Sequence, residues 1–344
     1  MLVRAAAAAW PGGRDDARVA GDENVVRVAL AGDTMLGREV ARAIASSHAL
    51  PLAPDVVAVA TEADLFVLNL ECCISDRGAP WPDPQKPFFF RAPPEAAALL
   101  AGIGVDCVTL ANNHVLDYGA IAQLDTLEHL HAAGVATVGA GADEAAARAP
   151  HVLSARGLRL AVLGASDHPA DFAAGPARPG IAYADIRSDP RGGWLAAATA
   201  AARGAADAVL VTPHWGPNMT ARPPSYVRRA AAALLAAGAS LVAGHSAHVV
   251  HGVERAVLYD LGGLVDDYAV HPELRNDLGL LFLVDLDRAG PRRIEAVPLA
   301  LDFCRTDLAR GDDADWIRRR FVAACAELGT EAVEHDGRVV IALR

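Results

Sequence analysis

The feature that most limits this chain is a pattern met five times: a short apolar run that stops abruptly at polar, chemically competent residues. Val25–Ala31 (VVRVALA) stops at Gly32-Asp33, and Leu65–Leu70 (LFVLNL) stops at Glu71. Cys107–Ala111 (CVTLA) runs into Asn112-Asn113-His114, and Ala208–Thr212 (AVLVT) into Pro213-His214-Trp215-Gly216. Ser240–Ala243 (SLVA) ends at Gly244-His245-Ser246-Ala247-His248. Runs of this length and composition, bounded by Gly, Pro or Asn, read as buried strands.

Helical stretches separate them. Ala120–Ala133 carries Ile121, Leu124, Leu127 and Leu130 at helical spacing, expected on one buried face, and stops at Gly134. Ser225 follows two prolines and is expected to cap a helix ending at Gly238; Trp194–Arg203 is a third. Strand–helix alternation predicts an α/β layered domain. Ligand groups in such sheets gather at the carboxyl ends of the strands. Past residue 255 the texture changes. Ala256–Tyr259, Leu280–Val284 and Ile294–Leu301 read as strands of a second, more antiparallel sheet. Residues 313–328 read as a helix with Trp316, Ile317, Phe321, Ala324 and Leu328 inward, and Asp336-Gly337 as the turn of a closing hairpin.

Several function classes drop out. With 31 basic against 42 acidic residues the net charge is −11, the wrong sign for a nucleic-acid surface, which needs clustered positive charge. No stretch is long and apolar enough for a membrane span. Residues 1–24 read as a mobile extension rather than an export signal. The cysteines, Cys72, Cys73, Cys107, Cys304 and Cys325, are odd in number and lack framework or CxxC spacing. Reduced thiols and a cytoplasmic protein are expected. Gly139-Ala140-Gly141-Ala142 matches neither a P-loop nor a dinucleotide fingerprint. Ser166-Asp167-His168 is a triad only as text, though it follows a strand (Leu158–Leu163) and could line a cleft. Lys86 is the only lysine, and in a Pro-rich loop (Trp81–Pro87) it reads as incidental.

The strand-end groups form a donor set: Asp33, Glu71, Asn113, His114, His214, His245 and His248. Mixed imidazole, carboxylate and amide donors suit divalent Mn, Zn, Fe or similar ions, one or two of them, and not calcium, which takes oxygens alone.

The segments GDTML (32–36), NLE (69–71), FRAPP (90–94), LANNHVLDYG (110–119), HWG (214–216), GHSAHVVHGVE (244–254) and LYDLG (258–262) together resemble the bacterial capsule-synthesis, CapA-type family of the calcineurin-like metallophosphoesterase superfamily. The resemblance runs from about Val25 to about Leu301, in the expected order. It implies a four-layer αββα sandwich with metal between the sheet ends. It also implies roles for individual residues. Asp33 and His248 would hold a first metal, Asn113, His214 and His245 a second, and Glu71 would bridge. His114 would act as acid or oxyanion-stabilising group, with Asp117 orienting it. Residues 25–301 would form the catalytic domain, with the helix and hairpin of 302–344 packed on it. The chain departs from the family at Met35, where a histidine is common, at Asn218, in place of a glutamate, and at Tyr259–Gly263. Arg38, Arg91, Trp215, Asn218 and Asp260 are expected to meet the substrate, a small molecule or peptide.

The activity implied is metal-dependent hydrolysis of a phosphoester or of a γ-glutamyl-like amide. Two alternatives stay open. One is metal-dependent peptide epimerisation, in which Asp33 and His245 or His248 serve as base and acid at Cα. The other is a non-catalytic accessory role in polymer synthesis.

Overall fold

A computed structural model describes residues 25–343; the extension expected over 1–24 lies outside the described residues. The expected α/β class is what the chain adopts: two sheets packed face to face, with helices outside each. The layering follows from side-chain alternation along the strands. In Val26–Thr34, Val26, Val28 and Leu30 enter the core between the sheets, while Ala29 and Ala31 enter the core under the outer helices. In Leu158–Ser166, Leu160 and Val162 face inward and Ala161 and Leu163 outward. Ala208–His214 and Leu241–Ala243 divide the same way. Strands apolar on both faces can only lie in the middle of such a stack.

The first sheet runs, edge to edge, through Val333–His335, Arg338–Ala342, Gly290–Asp302, Leu278–Asp287, Val26–Thr34, Leu65–Leu70, Cys107–Thr109 and Ala136–Val138. Its last four are mutually parallel. The second runs Val253–Glu254, Val257–Leu258, Leu241–Ala243, Ala208–His214, Leu158–Ser166, His151–Ala155. The long hairpin Leu278–Asp287/Gly290–Asp302 corrects an expectation. It does not start a separate sheet but pairs antiparallel with Val26–Thr34, Val28 opposite Val284, and so extends the first. The C-terminal helix Gly311–Glu327 sends Ile317, Phe321 and Cys325 into the inter-sheet core, where Phe321 meets Phe282 edge-on at 5.6 Å.

Two helices differ from expectation. The helix Ser225–Ala236 is preceded by Pro224, and Ser225 makes no cap bond. The helix Gly119–Ala132 leaves Ile121 43% and Leu124 38% exposed and buries Gln123, Asp125 and Thr126 instead. Those polar groups serve partners from other elements: Thr126 Oγ1 accepts from Ile74 N at 2.8 Å, Gln123 Nε2 donates to Gly141 O at 3.0 Å, and Asp125 accepts from the Ser75 hydroxyl at 2.6 Å. Satisfying buried donors and acceptors outweighed burying two aliphatic side chains. All five cysteines are free thiols. Among the described residues no helix is long and apolar enough to cross a membrane.

Candidate metal centre

Strand register brings the donor set together. Asp33 lies opposite Asn69, and Asn69 opposite Thr109, at the carboxyl ends of three parallel strands; Glu71 follows directly. In the facing sheet His214 ends its strand opposite Ser166 and bridges to His245. The first sheet is irregular between Ala31 and Asp33. Gly32 sits there because a Cβ would stand 1.8 Å from Gly262 O, so only glycine lets the strand pass that close.

Asp33, Glu71 and His248 are all buried, and each offers one donor atom within 4.8 Å of the others. His248 Nδ1 is 2.7 Å from Asp33 Oδ2 and 3.7 Å from Glu71 Oε2. His245 Nδ1 lies 3.6 Å from Asp33 Oδ1, and His214 Nε2 lies 3.8 Å from Glu71 Oε1. Despite these approaches, His248 Nδ1, His245 Nδ1, Glu71 Oε1 and Asn113 Oδ1 are buried without a well-directed hydrogen bond. Buried polar atoms are almost always satisfied. Unsatisfied atoms of His248, His245 and Glu71 gathered around Asp33 fit a cation held among them. Ser246 (φ 111°) and His248 (φ 56°) place their loop in left-handed backbone, which costs energy unless the surroundings impose it. They do: Asp260 accepts from Ala247 N at 2.7 Å and Gly262 N at 2.9 Å, and Ser246 Oγ donates to Gly216 O at 3.0 Å.

The charges tell the same story. Burial alone would raise Asp33, but His248, His214 and His245 outweigh it and hold its carboxyl below the usual range. Glu71 goes well above that range, pushed first by burial and then by the Asp33 charge. Burial opposes a charged His248, yet Glu71 and Asp33 lift it to about 10. Burial drives His245 down to about 4 and His214 well below its ordinary value, so both rings are neutral with lone pairs free for coordination. Two buried carboxylates this close call for positive charge, which the His248 imidazolium supplies and which a bound cation would supply in its place, releasing the His248 proton.

Two residues that the sequence reading did not single out complete the centre. Asn69 Nδ2 donates to Asp33 Oδ1 at 2.6 Å while Asn69 Oδ1 accepts from Asn112 Nδ2 at 3.0 Å. Tyr268 OH lies 3.4 Å from Glu71 Oε2, and its ring centroid is 5.1 Å from that of His248. The readable sign of Asn69 was an amide on the inward face of an otherwise apolar strand.

Asn112 organises the neighbouring turn, its Oδ1 accepting from His114 N and Val115 N at 3.0 and 3.1 Å. His114 Nδ1 meets Asp117 Oδ2 at 2.7 Å, and its ring stacks on Phe90 at 3.9 Å. Burial pushes His114 down to about 4 against the pull of Asp117. Lys86 is not incidental. Its Nζ lies 2.9 Å from Asp117 Oδ1 and 2.8 Å from Asn113 O.

The expected substrate residues scatter. Asn218 lines an open cleft of about 460 Å³ with Asp167, His168, Tyr183, Asp185 and Arg187. His168 hydrogen-bonds Asp167, and its ring centroid is 5.2 Å from that of His214, which joins cleft to centre. Arg38 lies over Phe88 with Nε 3.4 Å from Asp267, and Arg91 lies over Tyr118 at 4.1 Å. Trp215 and Asp260 are buried: Trp215 Nε1 donates to Tyr259 O at 2.9 Å, and Asp260 serves the loop amides described above. Met35 is packed in the outer core.

A two-sheet α/β sandwich with buried carboxylates and imidazoles converging at its strand ends is the architecture of a metallophosphoesterase-like protein. Residues 27–268 match the family described as bacterial capsule synthesis protein PGA_cap, and the chain belongs to that family. It is 30% identical over 369 aligned residues to a probable polyglutamine synthesis accessory protein of Mycobacterium tuberculosis, covering 92% of this chain and 95% of that one. It is 26% identical to the PGA biosynthesis protein CapA of Bacillus subtilis, covering 80% of this chain and 72% of the relative.

Proposed function

We propose that the chain is a metal-dependent hydrolase that cleaves an amide, γ-glutamyl-like bond in a peptide or polymer bearing carboxylates. The carrying observation is the convergence of Asp33, Glu71 and His248 with buried donors that no protein group satisfies. Asp33, Glu71 and His248 would hold the cation, joined by His214, His245 and Asn113. A divalent ion of the Mn, Zn or Fe kind lowers the pKa of bound water to about 7 and polarises a carbonyl. The rest falls to the protein. Asn69 and Tyr268 orient the carboxylates. The Asp117 contact places the His114 proton on Nδ1, leaving Nε2 of the neutral ring to accept a proton from the nucleophile and pass it to the leaving amine. The cleft beside His214 carries Arg187 with two aspartates, Asp167 and Asp185. That mixed lining suits a peptide better than a doubly charged phosphate, which the aspartates repel. A second reading, an accessory role in polymer synthesis, is favoured by the roles for which the relatives are named.

The test incubates Mn²⁺- or Zn²⁺-loaded protein in D₂O with γ-glutamyl oligopeptides and, separately, with bis-p-nitrophenyl phosphate. Amine release that disappears in Asp33→Asn is expected. Phosphoester turnover alone would make the protein a phosphoesterase, and deuterium at Cα without amine release an epimerase. Inertness of loaded protein toward every substrate would leave the accessory role.

A further inference from the structure

Among the described residues, the chain's one lysine is the only Lys or Arg that forms an ion pair with the buried Asp117. The Lys86 side chain is only 12% exposed, and that of Asp117 is fully buried. Both oxygens of Asp117 are engaged: Oδ1 lies 2.9 Å from Lys86 Nζ, an ion pair without a well-directed hydrogen bond, while Oδ2 accepts from Phe90 N at 2.6 Å and meets His114 Nδ1 at 2.7 Å. The same ammonium reaches Asn113 O at 2.8 Å, 27 residues along the chain, and lies 5.4 Å from the Phe172 ring. The turn from Asn113 to Asp117 is therefore gripped at both ends by one side chain. Within it sit Asn113 Oδ1, buried and unpartnered, and the His114 ring.

We propose that Lys86 is a positioning residue of the metal centre: by compensating Asp117 and holding Asn113 O, it fixes where Asn113 Oδ1 and the His114 ring stand. This rests on the metal-centre reading. Without Lys86, Asp117 is a buried carboxylate facing a neutral ring and one amide, and such a group relieves itself by turning toward water or taking up a proton. Either response drags His114 and the turn with it. A plainer role is that Lys86 merely pins the Pro-rich loop to the body of the protein. The two roles differ in whether Asp117 carries the effect.

The experiment titrates the full chain with Mn²⁺, reading free ion by electron paramagnetic resonance, for wild type, Lys86→Met, Lys86→Arg, Asp117→Asn and the Lys86→Met/Asp117→Asn double variant. Lys86→Met is expected to weaken Mn²⁺ about 10–100-fold, the usual effect of losing a group that orients a ligand. Lys86→Arg should recover part of this, and the double variant should bind no worse than Asp117→Asn alone. Tight wild-type binding with an indifferent Lys86→Met overturns the proposal, and so do losses that simply add. Wild type that binds neither Mn²⁺ nor Zn²⁺ instead brings down the metal-centre reading and this proposal with it. Because lysine occurs once, protein grown on [¹³Cε]lysine gives a single side-chain resonance. It is expected to move in Asp117→Asn without any metal, and a stationary resonance overturns the pairing even where Lys86→Met fails to fold.

Discussion

Asn69 Nδ2 donates to Asp33 Oδ1 at 2.6 Å, from a strand that lies parallel to and in register with the strand carrying Asp33. The bond leaves Asp33 Oδ2 turned toward His248 and is itself anchored by Asn112. Asn69 thus fixes the carboxylate that the proposed centre would use as a ligand, without itself belonging to the donor set.

Asn69→Ala is accordingly expected to weaken divalent-ion binding about 10–100-fold with the fold retained. Equilibrium dialysis with elemental analysis, beside a circular-dichroism spectrum, checks it. Unchanged affinity would remove Asn69 from the centre.

Much of this arrangement was legible beforehand. Apolar runs broken by Asp33, Glu71, His214 and His245 marked strand ends, because a strand buried on both faces tolerates charge only where it emerges. What stayed hidden depended on distant partners. Lys86 looked idle because Asp117 lies far along the chain. The helix Gly119–Ala132 buries Leu130 as expected but exposes Ile121 and Leu124, because the groups that satisfy Gln123, Asp125 and Thr126 belong to Gly141, Ser75 and Ile74. The antiparallel hairpin Leu278–Asp287/Gly290–Asp302 was assigned to another sheet because its pairing with Val26–Thr34 is a matter of register, which apolar runs do not encode.

The mutual burial of Asp33 and Glu71 predicts that a cation stabilises the fold. A ligand at 100 times its Kd adds about 2.7 kcal/mol, a rise in melting temperature on the order of 4 °C for a chain of this size. Differential scanning fluorimetry with and without Mn²⁺ should show the rise, and EDTA should reverse it. Asp33→Asn and His248→Ala should melt at the same temperature with or without the ion. A wild type equally indifferent would contradict the assignment.

Gly32→Ala tests the close approach at the strand irregularity. The added carbon would stand 1.8 Å from Gly262 O, a backbone atom that cannot swing aside. The strand end must shift, at a cost of about 1–3 kcal/mol for overpacking, and Asp33 shifts with it. Urea denaturation should show the lost stability, and a Mn²⁺ titration the lost affinity. A variant as stable as wild type would mean that the two segments separate freely.

The cleft makes the last prediction, because it separates binding from chemistry. Arg187 rests on Tyr226, its guanidinium carbon 4.9 Å from the ring centroid and one nitrogen 3.2 Å from the hydroxyl, so a neutral partner holds the cation beside the cleft. A substrate carboxylate arriving there gains a charge-assisted hydrogen bond, weakened by water because Arg187 is exposed. Since Arg187 stands apart from the donors around Asp33 and Glu71, that contact is made equally in the bound substrate and in the transition state. Uniform binding of this kind sets KM and leaves kcat alone. For a γ-glutamyl substrate Arg187→Ala should therefore raise KM by about 2–5-fold, with kcat and Mn²⁺ affinity unchanged. The change should vanish for an analogue whose α-carboxylate is amidated. A fall in kcat at constant KM would place Arg187 in the chemistry and the substrate elsewhere.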